Sequence, residues 1–393
     1  MKELIKEGDR ILLFVIDGVG GLPKDGKTEL EAAKTPNLDK LAEKSVLGLL
    51  EPLPPGITPG SGPAHLSIFG YDPLKYNIGR GVLEALGAGI DLKKDDLAIR
   101  GNFCTIDEND VIIDRRAGRI ETSECKRLVE KISEKIKEIE GVKISFYPGK
   151  EHRFVIVLSG KNISDKIKET DPQKEGLKPY EPEPISKEAE FTSKVLNKML
   201  NEIKNILKDE RANFILMRGY AKPPEIEDFY EKYSLKALGI AYYPMYKGLA
   251  KLVGMDVVED IKSFEEGIEV LKEKHKDYDF VYLHFKETDK AGEDGDFDKK
   301  VKEIERVDKY IPEILKCDFK VIAITGDHST PWKLKSHSWH PVPLLLYSEY
   351  AGSDDTKRFT EKEAIRGYLG KIKGHELIWI LLANAKRLLK YGA

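Results

Sequence analysis

Apolar and polar positions follow two rhythms along this chain. Residues 11–18, ILLFVIDG, form a short, bulky, β-rich run ending in an acid and a glycine, the pattern of a strand buried on both faces. Three later runs look alike: DFVYLHF at 279–285, KVIAITG at 320–326 and PVPLLLY at 341–347. Between the first two of these, residues 297–311 put Phe297, Val301, Ile304, Val307 and Ile311 at helical spacing. TPNLDKLAEKSVLGLL at 35–50 predicts another helix, with Thr35 as N-cap, Pro36 at the first helical position and Leu38, Leu41 and Ala42 as its apolar stripe. Buried strands alternating with amphipathic helices predict an α/β fold on a doubly wound, mostly parallel sheet.

From about residue 101 the rhythm changes. FVIVLSG at 154–160 and FILMRG at 214–219 are short strand-like pieces around a helix expected near 189–208, and the proline-rich stretch 170–188 reads as an exposed loop. These features predict a smaller α+β domain at 101–235, inserted into a sheet domain formed by 1–100 and 236–393. Hinges are expected where the chain crosses between them, near 96–101 and 232–240.

A length of 393 residues suits two domains. Lys+Arg at 65 against Asp+Glu at 68 leaves a net charge of -3, so no global basic field draws the chain to nucleic acid, and any phosphate site has to be local. The longest early apolar run, 11–16, is far short of a membrane span or a signal-peptide core; no membrane partner and a cytoplasmic location are expected. Cys104, Cys125 and Cys317 are scattered, without disulfide or zinc spacing.

In open parallel sheets, ligands bind beyond the carboxyl ends of the strands. Asp17 stands at such an end, and Asp327 and His328, in AITGDHSTP, stand at another. Asp289 follows a third, with Glu293 four residues on, while His337 and His340, in KSHSWHPVP, precede a fourth. Singly, each fragment has a structural explanation, since an Asp after a strand commonly caps a helix and GDHS makes a turn. Gathered by a sheet, the four carboxylates repel: at about 4 Å and an effective dielectric near 20, each like-charge pair costs roughly 4 kcal/mol. Two divalent cations would neutralise them, with histidines completing the coordination shells. Such a pair of ions, roughly 3.5–4 Å apart, is a clamp suited to in-line displacement at phosphorus.

TPGSGPAHLSIFGYDP, at 58–73, supplies a candidate nucleophile in Ser61. The segment reads as a turn, and Gly60 and Gly62 would let the backbone approach a metal and a phosphate closely. A serine hydroxyl bound to a divalent cation loses its proton more easily. The plainer alternative is a Ser-Gly turn without chemistry.

These segments, together with IGRGVLEALGAGIDL, RGNFCTID, DRRAGRI and TDKAGEDGDF, resemble in residue and order the archaeal-type cofactor-independent phosphoglycerate mutases of the alkaline phosphatase superfamily. The resemblance runs from Asp17 to the Pro-Val-Pro strand. It implies an isomerase of glycolysis and gluconeogenesis that interconverts 3-phosphoglycerate and 2-phosphoglycerate through a phosphoserine, without 2,3-bisphosphoglycerate. It also implies one ion held by Asp17, Ser61, Asp327 and His328, and a second held by Asp289, the residue at 293 and His337. One position departs from the family pattern: Asp-x-x-Gly-His-Asp-Gly is expected and Asp-Lys-Ala-Gly-Glu-Asp-Gly is present, so Glu293 replaces a metal-ligating histidine. An oxygen-richer site favours Mn²⁺ or Mg²⁺ over Zn²⁺, which makes manganese the first expectation, with Mg²⁺, Co²⁺ and Zn²⁺ as the other candidates. Spacing to Pro-Val-Pro favours His337 over His340 as the ligand.

A phosphoglycerate carries a phosphate and a carboxylate, and arginine forks suit both. DRRAGRI offers Arg115, Arg116 and Arg119, GKEHRF adds His152 and Arg153, and FILMRGY adds Arg218. Arg80, in NIGRGVLEA, is a candidate on the sheet-domain side, and Lys247, in YPMYKGLA, is a candidate phosphate contact. A cluster such as DRRAGRI is also what a solvated turn looks like, and which arginine meets which end of the substrate stays open. Asp114 and His152 compete as the acid–base group. Two other readings share these residues: a phosphomonoesterase or homoserine kinase-like relative, and a silent member that only binds a phosphorylated ligand.

Overall fold

The first apolar run becomes the strand Ile11–Ile16, with all six residues buried. It lies inside an eight-stranded sheet whose order is Asp256–Val257, Ala237–Ile240, Phe280–Phe285, Ile11–Ile16, Val321–Thr325, Val342–Ser348, Val46–Glu51 and Gly370–Lys373. The computed structural model describes residues 2–392. They divide into two compact units, one of residues 2–77 with 226–392 and one of Ile78–Glu225.

In the first unit, only Val342–Ser348 runs against the other seven strands. The cause is local: residues 326–341 contain no helix, so the chain leaves Val321–Thr325 without the crossover that a parallel return requires. The reversal matters for the site. A strand that runs backwards begins at the edge where its neighbours end, so His337 and His340 come to the carboxyl edge. Had it been parallel, they would have faced the opposite edge.

Leu12, Phe14 and Ile16 share a core with Phe264, Ile268 and Leu271 of the helix Phe264–Lys274, and with Ile304, Val307 and Ile311 of the helix Phe297–Leu315. Asp296 starts the latter helix by accepting a hydrogen bond from Lys299 N–H. The helix expected over 35–50 stops at Ala42. Lys44 and Ser45 turn back onto the carbonyls of Leu41 and Ala42, and Val46–Glu51 forms a strand. Its Val and Leu residues pair with Val342–Ser348, and tertiary pairing overrides the helical spacing. Thr35 precedes Pro36 as expected but makes no side-chain cap; its hydroxyl bonds Asp39 instead.

The second unit is an antiparallel sheet in the order Ile112–Asp114, Leu97–Ile106, Arg153–Ser159, Val142–Pro148 and Glu138–Ile139, with Phe214–Ala221 also pairing to Leu97–Ile106. The helices Thr122–Lys135 and Glu190–Leu207 bury Leu128, Ile132, Val195 and Met199 in its core. The expected boundaries need correction. Residues 78–100 belong to this unit, because a cut after Arg100 would break the continuous strand Leu97–Ile106. Residues 226–235 belong to the first unit, where Tyr233 donates to Gly70 O at 2.7 Å. Both expected hinge segments overlap paired strands, Leu97–Ile106 and Ala237–Ile240, which are poor places to bend. Among the described residues, no helix is long and apolar enough to cross a membrane.

Phe14 is fully buried and stacked on Phe264 with ring centroids 5.7 Å apart. Phe14→Ala is expected to lower the unfolding free energy of the sheet unit by about 3–5 kcal/mol in denaturant titrations. A loss under about 1 kcal/mol would contradict its central place in the core.

Candidate active site

Two loops, the one after Ile16 and the one over 326–341, meet at the carboxyl edge of the large sheet. Val19 and Gly20 bridge to Ser329, and Ser329 bridges to Ser338. This zipper carries Asp17, Asp327, His328 and His337 into one place. Gly18, between Asp17 and the first bridge, has φ of 63°, and a Cβ there would lie 2.6 Å from Thr330 Oγ1 and 2.8 Å from Asp289 Oδ1. Only glycine fits. Asp289 reaches the same place from the helix Glu287–Asp294, which starts just after the strand Phe280–Phe285.

Two groups of ligand-type atoms result, each with its atoms within 4.8 Å of one another: Asp17, Asp327 and His328; and Asp289, His328 and His337. His328 belongs to both, with Nε2 3.1 Å from Asp327 and 3.4 Å from Asp17, and Nδ1 3.9 Å from Asp289. The rings of His328 and His337 stack at 3.6 Å. His337 Nδ1 donates to Pro59 O at 2.9 Å, which commits Nδ1 to that carbonyl and directs Nε2 to the site, 3.6 Å from Asp289 Oδ1. Glu293 stands one turn beyond Asp289, half-exposed, with Oε1 3.9 Å from His337 Nε2. It lies at the rim and outside both groups. Burial and the neighbouring Asp289 raise its carboxyl above the usual range. His340 bonds Ser338 Oγ through Nδ1 and stacks on the exposed Trp339, in neither group.

Burial alone would raise the carboxyl of Asp17, but Lys286, His284 and His328 outweigh it and hold the group well below the usual range. Burial would lower His328, and Asp327 and Asp17 push it up to about 9. Even so, Asp17 Oδ1 and Oδ2, Asp327 Oδ2 and His328 Nε2 make no hydrogen bond of good geometry: Asp17 Oδ2 has Lys286 Nζ at 3.1 Å and Asp327 Oδ2 has His328 Nε2 at 3.1 Å as ion-pair contacts only. Buried carboxylate oxygens with so few hydrogen bonds are costly unless further positive charge joins them.

Ser61 does not sit in a turn. It is the first residue of the helix Ser61–Ile68, after Gly60, which supplies no side-chain cap. Gly60 has φ of -87°, and an added Cβ would meet nothing of the protein nearer than Pro63 at 3.8 Å. One helical turn on, His65 bonds Ser61 O through Nδ1 at 2.9 Å and lies 3.5 Å from Asp327 Oδ2. Burial pushes His65 down to about 4, against the pull of Asp327. Ser61 Oγ meets Tyr246 OH at 3.4 Å, and Tyr246 OH meets Lys286 Nζ at 3.1 Å. Lys286 pairs with Asp289 at 2.6 Å and Asp17 at 3.1 Å.

Sequence reasoning passed over His65, Tyr246, His284 and Lys286. His284 carried a readable signal, being the one imidazole in the otherwise apolar and aromatic run FVYLHF. Lys286 follows the carboxyl end of that strand, where the acids had been sought. Lys300 gave none. On the helix Phe297–Leu315 it is fully buried, donating to Gly20 O at 2.9 Å and Thr330 O at 2.8 Å beside Glu29 at 3.6 Å. Thr330 in turn hydrogen-bonds Asp289 and His328. Lys247 points elsewhere, donating to the carbonyl of Glu259.

The second unit carries a separate cationic site. Antiparallel register sets Arg100 opposite Arg218 and Asn102 opposite Arg153. Arg100, Asn102, Arg115, Arg116, His152, Arg153 and Arg218 line one hollow of 120 Å³. Arg116, Arg119, His152 and Arg153 also line an adjoining one of 180 Å³, with Lys150 and Glu151. Like charges facing across strands destabilise a sheet unless an anion is at hand. Arg100 Nε, Asn102 Oδ1 and His152 Nδ1 are buried without partners. Arg100 was missed, although LAIRGNF alternates as a half-polar strand should. Burial pushes His152 down to about 4, and Arg153 adds to the shift against Glu151.

DRRAGRI forms a left-handed bend over Ala117, Gly118 and Arg119, with φ of 47°, 68° and 52°. Asp114 holds it by accepting from the N–H groups of Arg116 at 2.8 Å and Gly118 at 2.6 Å. Arg115 grips Asp171 through two bonds, and Arg218 contacts Glu169 and Asp171. Arg80 belongs to this unit and not to the sheet domain; it is exposed, 4.0 Å from Glu84 and outside both hollows.

A doubly wound α/β unit with buried acid–histidine groups, joined in one chain to an α+β unit with an arginine hollow, is the architecture of an enzyme that acts on small anions. A family model described as 2,3-bisphosphoglycerate-independent phosphoglycerate mutase matches residues 42–213. A Thermotoga neapolitana protein named a probable 2,3-bisphosphoglycerate-independent phosphoglycerate mutase is 51% identical over 395 residues, covering 100% of this chain and 98% of the relative. A Thermus thermophilus protein of the same name is 52% identical over 400 residues, with the same coverage. Among solved structures, a Pyrococcus horikoshii protein is similar at a TM-score of 0.80 and 36% identity, covering 98% of this chain and 100% of the other. A cofactor-independent phosphoglycerate mutase from Thermoplasma acidophilum is similar at 0.78 and 31%, covering 96% and 100%. The chain belongs to the 2,3-bisphosphoglycerate-independent phosphoglycerate mutase family.

Lys300→Met leaves Glu29 buried without its cation and is expected to destabilise the sheet unit by about 3–5 kcal/mol in denaturant unfolding. Adding Glu29→Gln should recover part of that loss. His152 gives a pH signature with a definite sign. Its folded pKa of about 4 lies below the ordinary 6.5, so the stability it contributes is complete above pH 6.5 and is lost as pH falls towards 4. Unfolding titrations across this window should slope less steeply for His152→Gln than for the unmodified chain.

Proposed function

We propose that this chain interconverts 3-phosphoglycerate and 2-phosphoglycerate, without 2,3-bisphosphoglycerate, through a phosphorylated Ser61. The observation that carries the reading is the pair of carboxylate–histidine groups, the Asp17–Asp327–His328 one with buried carboxylate oxygens that make no hydrogen bond, at the strand edge where Ser61 opens an uncapped helix. Family membership narrows the substrate to a phosphoglycerate.

The oxygens and nitrogen without a hydrogen bond, and His337 Nε2 directed to the site by the Pro59 contact, fit divalent cations. Asp17, Asp327 and His328, with Ser61, would hold one; Asp289 and His337, with Glu293 or His328 as the further ligand, would hold the other. Such ions neutralise the carboxylates and make a neighbouring hydroxyl more acidic. Glu293 enriches the set in oxygen, and manganese is the metal proposed.

Ser61 is the nucleophile. The first-turn amides of its helix, left without a side-chain cap, suit the phosphate oxygens, and Lys286 adds positive charge beside Tyr246. In the second unit, Arg116 and Arg153 line both hollows and suit the substrate carboxylate, with Arg100, Arg119, Arg115 and Arg218 around them. Arg80 and Lys247 are the weaker candidates, because each is directed to a neighbour outside the hollows. His152 is the acid–base group in this reading: its imidazole is neutral near pH 7 and Nδ1 has no partner, whereas both oxygens of Asp114 hold a bend. Cytoplasmic placement accords with a glycolytic role.

An enolase-coupled assay on 3-phosphoglycerate, with no 2,3-bisphosphoglycerate added, tests the proposal. Chelated protein is expected to be inactive and Mn²⁺ to restore turnover; best recovery with Zn²⁺ would remove the argument from Glu293. Ser61→Ala should lower kcat by on the order of a thousandfold or more. Release of inorganic phosphate in place of 2-phosphoglycerate would identify a phosphatase instead.

A further inference from the structure

We propose that Tyr246 is a catalytic residue for the transfer at Ser61: its phenol, anchored by Lys286, donates a hydrogen bond to Ser61 Oγ and stabilises the negative charge that develops there. This rests on the reading of Ser61 as nucleophile. Tyr246 comes from the helix Pro244–Leu252 and is fully buried. Its ring stacks on His284 with centroids 3.7 Å apart and lies 4.8 Å from the ring of His65, so its place is set from two sides.

The direction of the hydrogen bonds follows from the donors present. An ammonium group has hydrogens and no acceptor, so in the 3.1 Å contact with Lys286 the phenol oxygen must accept. The one phenol hydrogen is then available to Ser61 Oγ, 3.4 Å away, with the Asp17 carboxylate as the competing acceptor until a cation occupies that carboxylate. Lys286 is itself held by Asp289 and Asp17, which fixes the chain of contacts at its far end. A contact of this length is weak with a neutral hydroxyl and tightens as the oxygen gains charge, as expected of a donor aimed at a transition state.

The step balances as follows. A lone pair of Ser61 Oγ forms the bond to phosphorus while the bond from phosphorus to the glycerate oxygen breaks and its electron pair stays on that oxygen. The serine hydroxyl loses a proton and the glycerate oxygen gains one. The reverse transfer, to the other glycerate hydroxyl, restores the serine proton. The phenol keeps its hydrogen throughout.

Tyr246→Phe retains the ring and its stacking and removes only the hydroxyl. The expected result is a fall in kcat of about 10- to 100-fold, with KM changed by less than about threefold. Rapid-quench labelling with ³²P-3-phosphoglycerate should show phosphoserine at Ser61 forming more slowly by the same factor. Mn²⁺ binding by calorimetry and thermal unfolding should match the unmodified chain. Single-site 3,5-difluorotyrosine at 246 keeps a hydroxyl and should return labelling to within about threefold of the original rate. Labelling of Tyr246→Phe at the original rate overturns the proposal, as does difluorotyrosine protein that labels no faster than the Phe variant. Should Tyr246→Phe fail to fold, difluorotyrosine protein that folds but labels more than about tenfold slower than the unmodified chain overturns it equally. Unmodified protein that turns over but never labels Ser61 would instead remove the nucleophile reading, and this proposal with it.

Discussion

Asp17 and Asp327 are fully buried with ligand oxygens within 4.8 Å of one another, and that repulsion is the constraint around which the first unit is arranged. At this spacing and an effective dielectric near 20, one pair costs roughly 3–4 kcal/mol, a large share of a domain's net stability. The fold answers with cations placed from several directions. Lys286 reaches Asp17 and Asp289 from the end of a neighbouring strand, and His328 bridges Asp17 and Asp327. Behind them, Lys300 ties the Gly20 loop to the Thr330 loop from inside the core. These contacts hold the carboxylates in place by charge, yet Asp17 Oδ1 and Asp327 Oδ2 still make no hydrogen bond.

The two units carry opposite local fields, and a formal net charge of -3 averages them away. In the first, acids gather at the ends of parallel strands. In the second, antiparallel register stacks arginines on one face of a sheet and buries Arg100 among them, where burial lowers its pKa against Glu84, with Arg80, Arg153 and Arg218 lowering it further. Each arrangement is costly alone. Divalent cations would relieve the first and an anionic group the second.

Much of this was legible in the chain itself. Six consecutive apolar residues at 11–16, short and bounded by Asp17 and Gly18, read as a strand covered on both faces, and the acids at strand ends followed from the rule that open sheets bind ligands there. Side-chain partners outside those motifs were harder to see. Tyr246, Lys286 and Lys300 are ordinary residues on ordinary helices and strand ends, and nothing in their spacing marks them. Glu293 shows the reverse limit: its motif position pointed to the ligand set, yet the helix leaves it at the rim.

By itself, the order of residues determined the most strongly patterned elements, the strands at 11–16, 280–285, 321–325 and 342–348 and the helix over 297–311, because apolar periodicity is a local property of the chain. It also determined the candidate ligand types and the ordered motifs that place the chain in its family. Only the tertiary structure decided where helix gave way to strand after Ala42, which way Val342–Ser348 runs, and that Ser61 opens a helix rather than a turn. Strand direction and pairing depend on contacts between residues far apart in sequence, so local spacing carries no record of them. The reversed strand sets His337 against His328, and the arginine hollow likewise exists only through register.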